Sequence, residues 1–101
     1  MSEDKKHLIR KKFKEIEWEE KYQQLPWSKR YEETWTGKID CGFLHTHRGA
    51  ILIWQNTFSK KFHYKIFCEK AEAESSIALS TFQKAKEVAC EAYINCIEFY
   101  Q

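Results

Sequence analysis

Two periods alternate along the chain. Over residues 3–23, Ile9, Phe13 and Ile16 recur at the i, i+4, i+7 spacing of a buried helical stripe, with Leu8 at its edge. Trp18 and Tyr22 are also four apart but fall on nearly the opposite side of the same expected helix. A helix apolar on two sides is either wrapped by its own fold or offered to a partner. Pro26 disfavours helix at Leu25, and the connection Gln23–Arg30 ends this element.

From Tyr31 the period becomes two. Tyr31, Glu33, Trp35, Gly37, Ile39, Cys41 and Phe43 alternate with Glu32, Thr34, Thr36, Lys38 and Asp40, which predicts a strand with one apolar and one polar face. Gly37 and Gly42 are expected to mark bulges or a break. Residues 43–55 read as a hairpin turning at Arg48-Gly49, with Ile51 and Ile53 opposite Leu52 and Trp54. After the loop NTFSKK comes a further strand. Phe62, Tyr64, Ile66 and Cys68 take one face and His63, Lys65 and Phe67 the other. An acidic linker, EKAEAESS, leads to a final helix expected from Ser76 or Ser80 to Phe99. Ser80 and Gln83 have capping-box spacing, with Ser75 or Ser76 as the competing cap. Its stripe is Ala78, Phe82, Ala85, Ala89, Tyr93, Cys96 and Tyr100, flanked by Ile77, Val88 and Ala92. The predicted fold is α+β: an N-terminal helix, a three- to four-stranded antiparallel sheet and a C-terminal amphipathic helix packed on one sheet face, α-β-β-β-α, as a single domain over residues 1–101.

Composition supplies the core. The chain is 43% hydrophobic, with 7 Phe, 5 Tyr and 4 Trp against only 3 Gly and 1 Pro, so little of it is expected to be disordered. Charge is nearly balanced, 17 Lys and Arg against 15 Asp and Glu. It is nevertheless uneven, because the bases Lys5, Lys6, Arg10, Lys11, Lys12 and Lys14 precede the acids Glu15, Glu17, Glu19 and Glu20. That order opposes the helix dipole beyond Glu3 and Asp4. No apolar run approaches the ~20 residues that cross a bilayer. The N-terminus shows no apolar signal core, so a cytoplasmic location with reduced thiols is expected and no membrane partner.

Cys41 to Trp54 concentrates the candidate chemistry. His45 and His47 share a strand face and, with Cys41 or His63, form a conceivable metal set. Cys41, Cys68, Cys90 and Cys96 lack the short paired spacing of structural zinc sites. A Cys41 nucleophile with a histidine base, or an acid–base trio of His45, His47 and His63, lacks a motif to fix it. No enzyme activity, metal, cofactor or small-molecule substrate is therefore expected.

Nucleic-acid binding is one reading. Lys5, Lys6, Arg10, Lys11, Lys12 and Lys14 could follow a phosphate backbone, and Lys29, Arg30, Lys60 and Lys61 add two basic loops. The α-β-β-β-α order is also that of double-stranded RNA-binding domains. Thr81, then Ala85-Lys86, then Ala89-Cys90 resemble that family's pattern of Ser/Thr, Ala-Lys and two small residues. Gly42-Phe43-Leu44-His45 is faintly similar to its Gly-Pro-x-His loop. The resemblance implies RNA binding. However, the family's paired lysines would fall on Phe82 and Gln83, a departure that removes its phosphate clamp, and the chain is not assigned to the family.

The leading expectation is a protein-binding or regulatory module. Trp18, Tyr22, Trp27 and Trp54 are more aromatic surface than this core needs, and such residues dominate interface hot spots. Glu17, Glu19 and Glu20 would favour a basic partner. Self-association through Trp18 and Tyr22 is its simplest form.

Overall fold

The computed structural model describes residues 2–41, 47–68 and 72–99, with the backbone alone at 41, 47, 48 and 99. The elements follow as α1 (Glu3–Lys14), β1 (Glu19–Gln24), β2 (Tyr31–Cys41), β3 (His47–Gln55), β4 (Phe62–Cys68), β5 (Glu72–Glu74) and α2 (Phe82–Phe99). The strands form one antiparallel meander in the order β1-β2-β3-β4-β5, so the sheet has five strands and not three or four.

Period-two alternation sets the faces. Partners across an antiparallel ladder share a face. The rows Trp35–Ile53–Tyr64 and Gly37–Ile51–Ile66, running across β2, β3 and β4, therefore make one apolar side. Both helices cover that side. Ile9 and Phe13 of α1 and Ala85, Ala89, Tyr93, Ile94 and Ile97 of α2 join Ile39, Ile51, Ile53, Tyr64 and Ile66 in one core. The two helices run antiparallel, tied by Lys6–Glu98 at one end and Arg10–Glu91 further along.

The first helix stops at Lys14 and does not run to residue 23. Glu19–Gln24 instead pairs with β2, from Glu19 opposite Thr36 to Gln24 opposite Tyr31. Ser2 caps α1 by accepting from the Lys5 N–H, and the basic last turn of Lys11, Lys12 and Lys14 suits the helix C-terminus. The apparent second apolar side was the start of a strand. Ile16 and Trp18 cross over Gly37, where a Cβ would collide with Ile16 Cγ2 and stand 3.0 Å from Trp18 Cζ3. Gly37 is thus neither bulge nor break but a seat in a regular strand.

Arg48-Gly49 is likewise not a turn. Both lie in β3, opposite Asp40 and Ile39, and Gly49 admits the Tyr93 ring, whose Cε2 would be 2.7 Å from an added Cβ. The β2–β3 connection, residues 42–46, lies outside the described residues, and with it Gly42, Phe43 and His45. Residues 75–80 are not helical. They run beside β4, where Leu79 and Phe62 exchange backbone hydrogen bonds of 2.7 and 2.9 Å. Thr81, not a serine, caps α2: its Oγ1 accepts from the Lys84 N–H at 3.0 Å. Ile77 and Ala78 are consequently exposed rather than part of the stripe, and Tyr100 lies outside the described residues.

The second sheet face is partly covered as well. The β1–β2 connection folds back on it, so Leu25, Glu32, Thr34 and Leu52 are all buried. Thr34 Oγ1 donates to the Lys21 carbonyl at 2.7 Å and accepts from Gln23 Nε2 at 3.1 Å, which satisfies its hydroxyl.

Candidate macromolecule-binding surface

The basic block on α1 is divided by its neighbours. Arg10 grips Glu91 in a bidentate pair at 2.8 and 3.3 Å, and Lys6 reaches Glu98 at 3.1 Å. The hydrogen bond from Arg10 holds the Glu91 carboxyl below its ordinary value, and the same bond raises Arg10. The bond to Glu98 raises Lys6. These two cations therefore join the helices. Lys5, Lys11, Lys12 and Lys14 are exposed.

The tryptophans also separate. Trp18 turns inward and meets Phe13 and Phe82 edge-on, with ring centroids 6.1 and 5.9 Å away. Phe82 in turn packs on Trp35 and Phe62 at 4.8 and 6.1 Å, which anchors the start of α2 to the sheet. Trp18 keeps one border on a groove of about 410 Å³ between α1 and α2, together with Phe13, Lys14 and Lys86. Tyr22 is 60% exposed and rests on Tyr31, centroid to centroid 5.9 Å. Trp18 and Tyr22, read from sequence as one surface, are thus split between the core margin and the exterior. Trp27 and Trp54 meet on the second face at 5.0 Å, His63 stacks on Trp54 at 5.5 Å, and Lys65 Nζ lies 5.0 Å from the Trp27 ring.

The meander places the β1–β2 and β3–β4 connections at the same end of the sheet. There the two basic loops, 30 residues apart in sequence, become neighbours. Asn56 builds the second loop: its Oδ1 accepts from the Phe58 and Ser59 N–H groups, both at 2.9 Å, and its own N–H donates to the Lys61 carbonyl at 2.9 Å. Lys60 closes the loop at φ 63°, a left-handed conformation uncommon for a side chain of this length. Thr57 Oγ1 donates to the Tyr31 carbonyl at 3.3 Å, and the Arg30 guanidinium lies 5.4 Å from the Phe58 ring centroid. Phe58 is 76% exposed, the most exposed of the large apolar side chains described.

Lys29, Arg30, Lys60 and Lys61 therefore share one end with Tyr22, Trp27, Tyr31 and Phe58. No acid occurs in residues 23–31, 55–68 or 75–86, while Glu32 and Glu33 follow at the start of β2, Glu32 opposite Gln23 and Glu33 opposite Tyr22 and Gln55. The first turn of α2, at the same end, has no acid either. Sequence reading identified the lysines and Trp27 but missed Phe58. The available signal was an aromatic at the centre of a polar strand connection, where no core can receive it.

Catalytic and metal candidates fare differently. His45 and the side chains of Cys41 and His47 lie outside the described residues, while His63 is committed to its stack on Trp54. Among the described residues, no group of three His, Cys, Asp or Glu could hold a metal ion. Burial raises the Cys96 thiol, an effect only partly offset by its hydrogen bond with Cys68, so it stays protonated near neutrality. Among the described residues no helix is long and apolar enough to cross a membrane. No family model matches the sequence, and comparison with curated proteins and with solved structures gives no match.

Proposed function

We propose that this protein is a small non-enzymatic module that binds another macromolecule in the cytoplasm, and that the partner docks on the loop end of the sheet. One observation carries the reading: exposed aromatics and four exposed cations come from separate loops and meet at one end. Isolated apolar residues on a surface need no explanation. An exposed ring cluster set among cations, with no acid in the same segments, is an arrangement that packing does not require. Both expectations from sequence bear on this surface. The aromatic residues Trp27 and Tyr22 suit a protein partner, and Lys60 and Lys61 suit a nucleic acid. Trp18 contributes to neither, because it lies against Phe13 and Phe82.

Site-specific photo-crosslinking in cells tests the reading. A crosslinker at position 58 is compared with one at Asn95, an exposed position on the far part of α2. The expected result is a discrete adduct, protein or nucleic acid, from position 58 only, lost when Lys60→Glu and Lys61→Glu are added. Equal adduct patterns from both positions, or none from position 58, would contradict it.

A further inference from the structure

We infer that the macromolecule at the loop end is a single-stranded nucleic acid, its phosphates held by Lys29, Arg30, Lys60 and Lys61 and its bases stacked on Phe58 and Tyr31. The inference deepens the binding function proposed above and rests on it. Three features distinguish this occupant from others.

The first is charge. Four cations on two loops that themselves carry no acid make a local field that favours a polyanion, set against Glu32 and Glu33 at the adjoining start of β2 and a formal net charge of only +2 for the whole chain. The start of α2 adds to it, since that helix opens with no acid and with Lys84 in its first turn, against the preference of its own dipole. A lysine placed where it weakens a helix points to a role outside it.

The second is the rings. Phe58 has the Arg30 guanidinium 5.4 Å from its ring centroid and leaves most of its surface to solvent. Tyr31 is 54% exposed and touches Tyr22. A ring held beside a guanidinium is the pairing that single-strand binders use, because every base has a π-face to stack. In a duplex the bases are already stacked, and these rings would have no partner.

The third is position. The duplex alternative relied on a basic helix, yet Arg10 and Lys6 of that helix are engaged by Glu91 and Glu98. The loop cations have no such carboxylate in their own segments. An acidic protein would also meet the four cations and pack on the rings, and the polyglutamate arm of the test and the crosslinks at position 58 separate it from a nucleic acid.

The test is fluorescence anisotropy with mixed-sequence single-stranded DNA and RNA, the matching duplexes, and polyglutamate, each at low and moderate salt. Single strands should bind at least tenfold tighter than duplex or polyglutamate. Their log K should fall with log salt at a slope of about −2 to −3, as expected when up to four phosphates are neutralised. Phe58→Ala should weaken single-strand binding by about fivefold or more while leaving the salt slope unchanged. The side chain lies at the surface, so circular dichroism of that variant should match the parent. RNA and DNA arms that differ identify which strand is preferred, and binding of either sustains the inference. No binding at low salt, polyglutamate or duplex binding as tight as single strands, or an unaffected Phe58→Ala variant would each overturn it. If crosslinks at position 58 are then to protein alone, the docking surface stands and its nucleic-acid occupant falls. If there are no crosslinks, both fall.

Discussion

Gly37 and Gly49 let the covering layer approach the sheet, Gly37 beneath Ile16 and Trp18 of the α1–β1 connection and Gly49 beneath Tyr93 of α2. Each occupies a regular strand position, and each is needed because a ring or a branched side chain rests directly on its Cα. From sequence they read as a bulge and a turn, the usual roles of glycine in a strand pattern. Nothing local records a neighbour arriving from elsewhere in the chain. Gly49→Ala should place its methyl against Tyr93, which is fully buried and has no room to retreat. A loss of about 1–3 kcal/mol in urea unfolding is expected, with the m-value unchanged. Glu32 poses the opposite case. It is 2% exposed on the second sheet face, and its Oε2 has no hydrogen-bond partner among the described residues. A buried polar atom left unsatisfied costs about 1–3 kcal/mol, so Glu32→Met, which keeps the length and removes the orphan, should raise stability by about 1 kcal/mol or more. A lower unfolding midpoint would show that the carboxylate has a structural task that its described contacts do not reveal.

The helices and the central strands were legible because their patterns are strong. Ile9 and Phe13 mark the inner side of α1, and Trp35, Gly37 and Ile39 and the alternation from Phe62 to Cys68 match the observed inner face, whereas Tyr31 is exposed and Glu32 and Thr34 of the expected polar face are buried. β1 was not legible for a physical reason. It is an edge strand of sequence EEKYQQ, exposed at nearly every position, so neither face carries an apolar signal. Glu, Lys and Gln are also good helix formers, and the four-residue spacing of Trp18 and Tyr22 imitated helical periodicity. Charged residues on such an edge discourage pairing with another chain. The pairing of α1 with α2 is open to direct test. Because Arg10 depresses the Glu91 pKa, the pair contributes stability that is present above the ordinary glutamate value of about 4.3 and is lost as pH falls through the lowered folded value. Both side chains are substantially exposed, so solvent screening keeps the contribution small. Arg10→Ala should lose that contribution at pH 7 and progressively less as pH falls through the lowered Glu91 value, as read from denaturant midpoints across the acid range. A deficit that stays constant across the range would assign the loss to packing of the arginine stem instead.

The assembled meander decides which of the candidate residues can act together. Sequence offered two lists, tryptophans for a protein partner and lysines for a nucleic acid, and neither list maps onto one surface. Trp18 belongs to the core margin, Trp54 is shared between Trp27 and His63, and the α1 block is divided by Glu91 and Glu98. The loop cations and the exposed rings converge because antiparallel connectivity returns every second connection to the same end, a relation that no spacing along the chain displays. The reading was recoverable only in part: Lys29, Arg30, Lys60 and Lys61 stood out as basic loops, but their meeting with Phe58 and Tyr31 required the strand order. The most direct test sets the loop end against the helix. Lys60→Glu/Lys61→Glu and Lys11→Glu/Lys12→Glu change the net charge equally, and all four positions are exposed. In anisotropy titrations with a single-stranded oligonucleotide at low salt, the loop pair should lower affinity by about tenfold or more and the helix pair by about threefold or less. The reverse order would return the binding surface to the first helix and contradict the account.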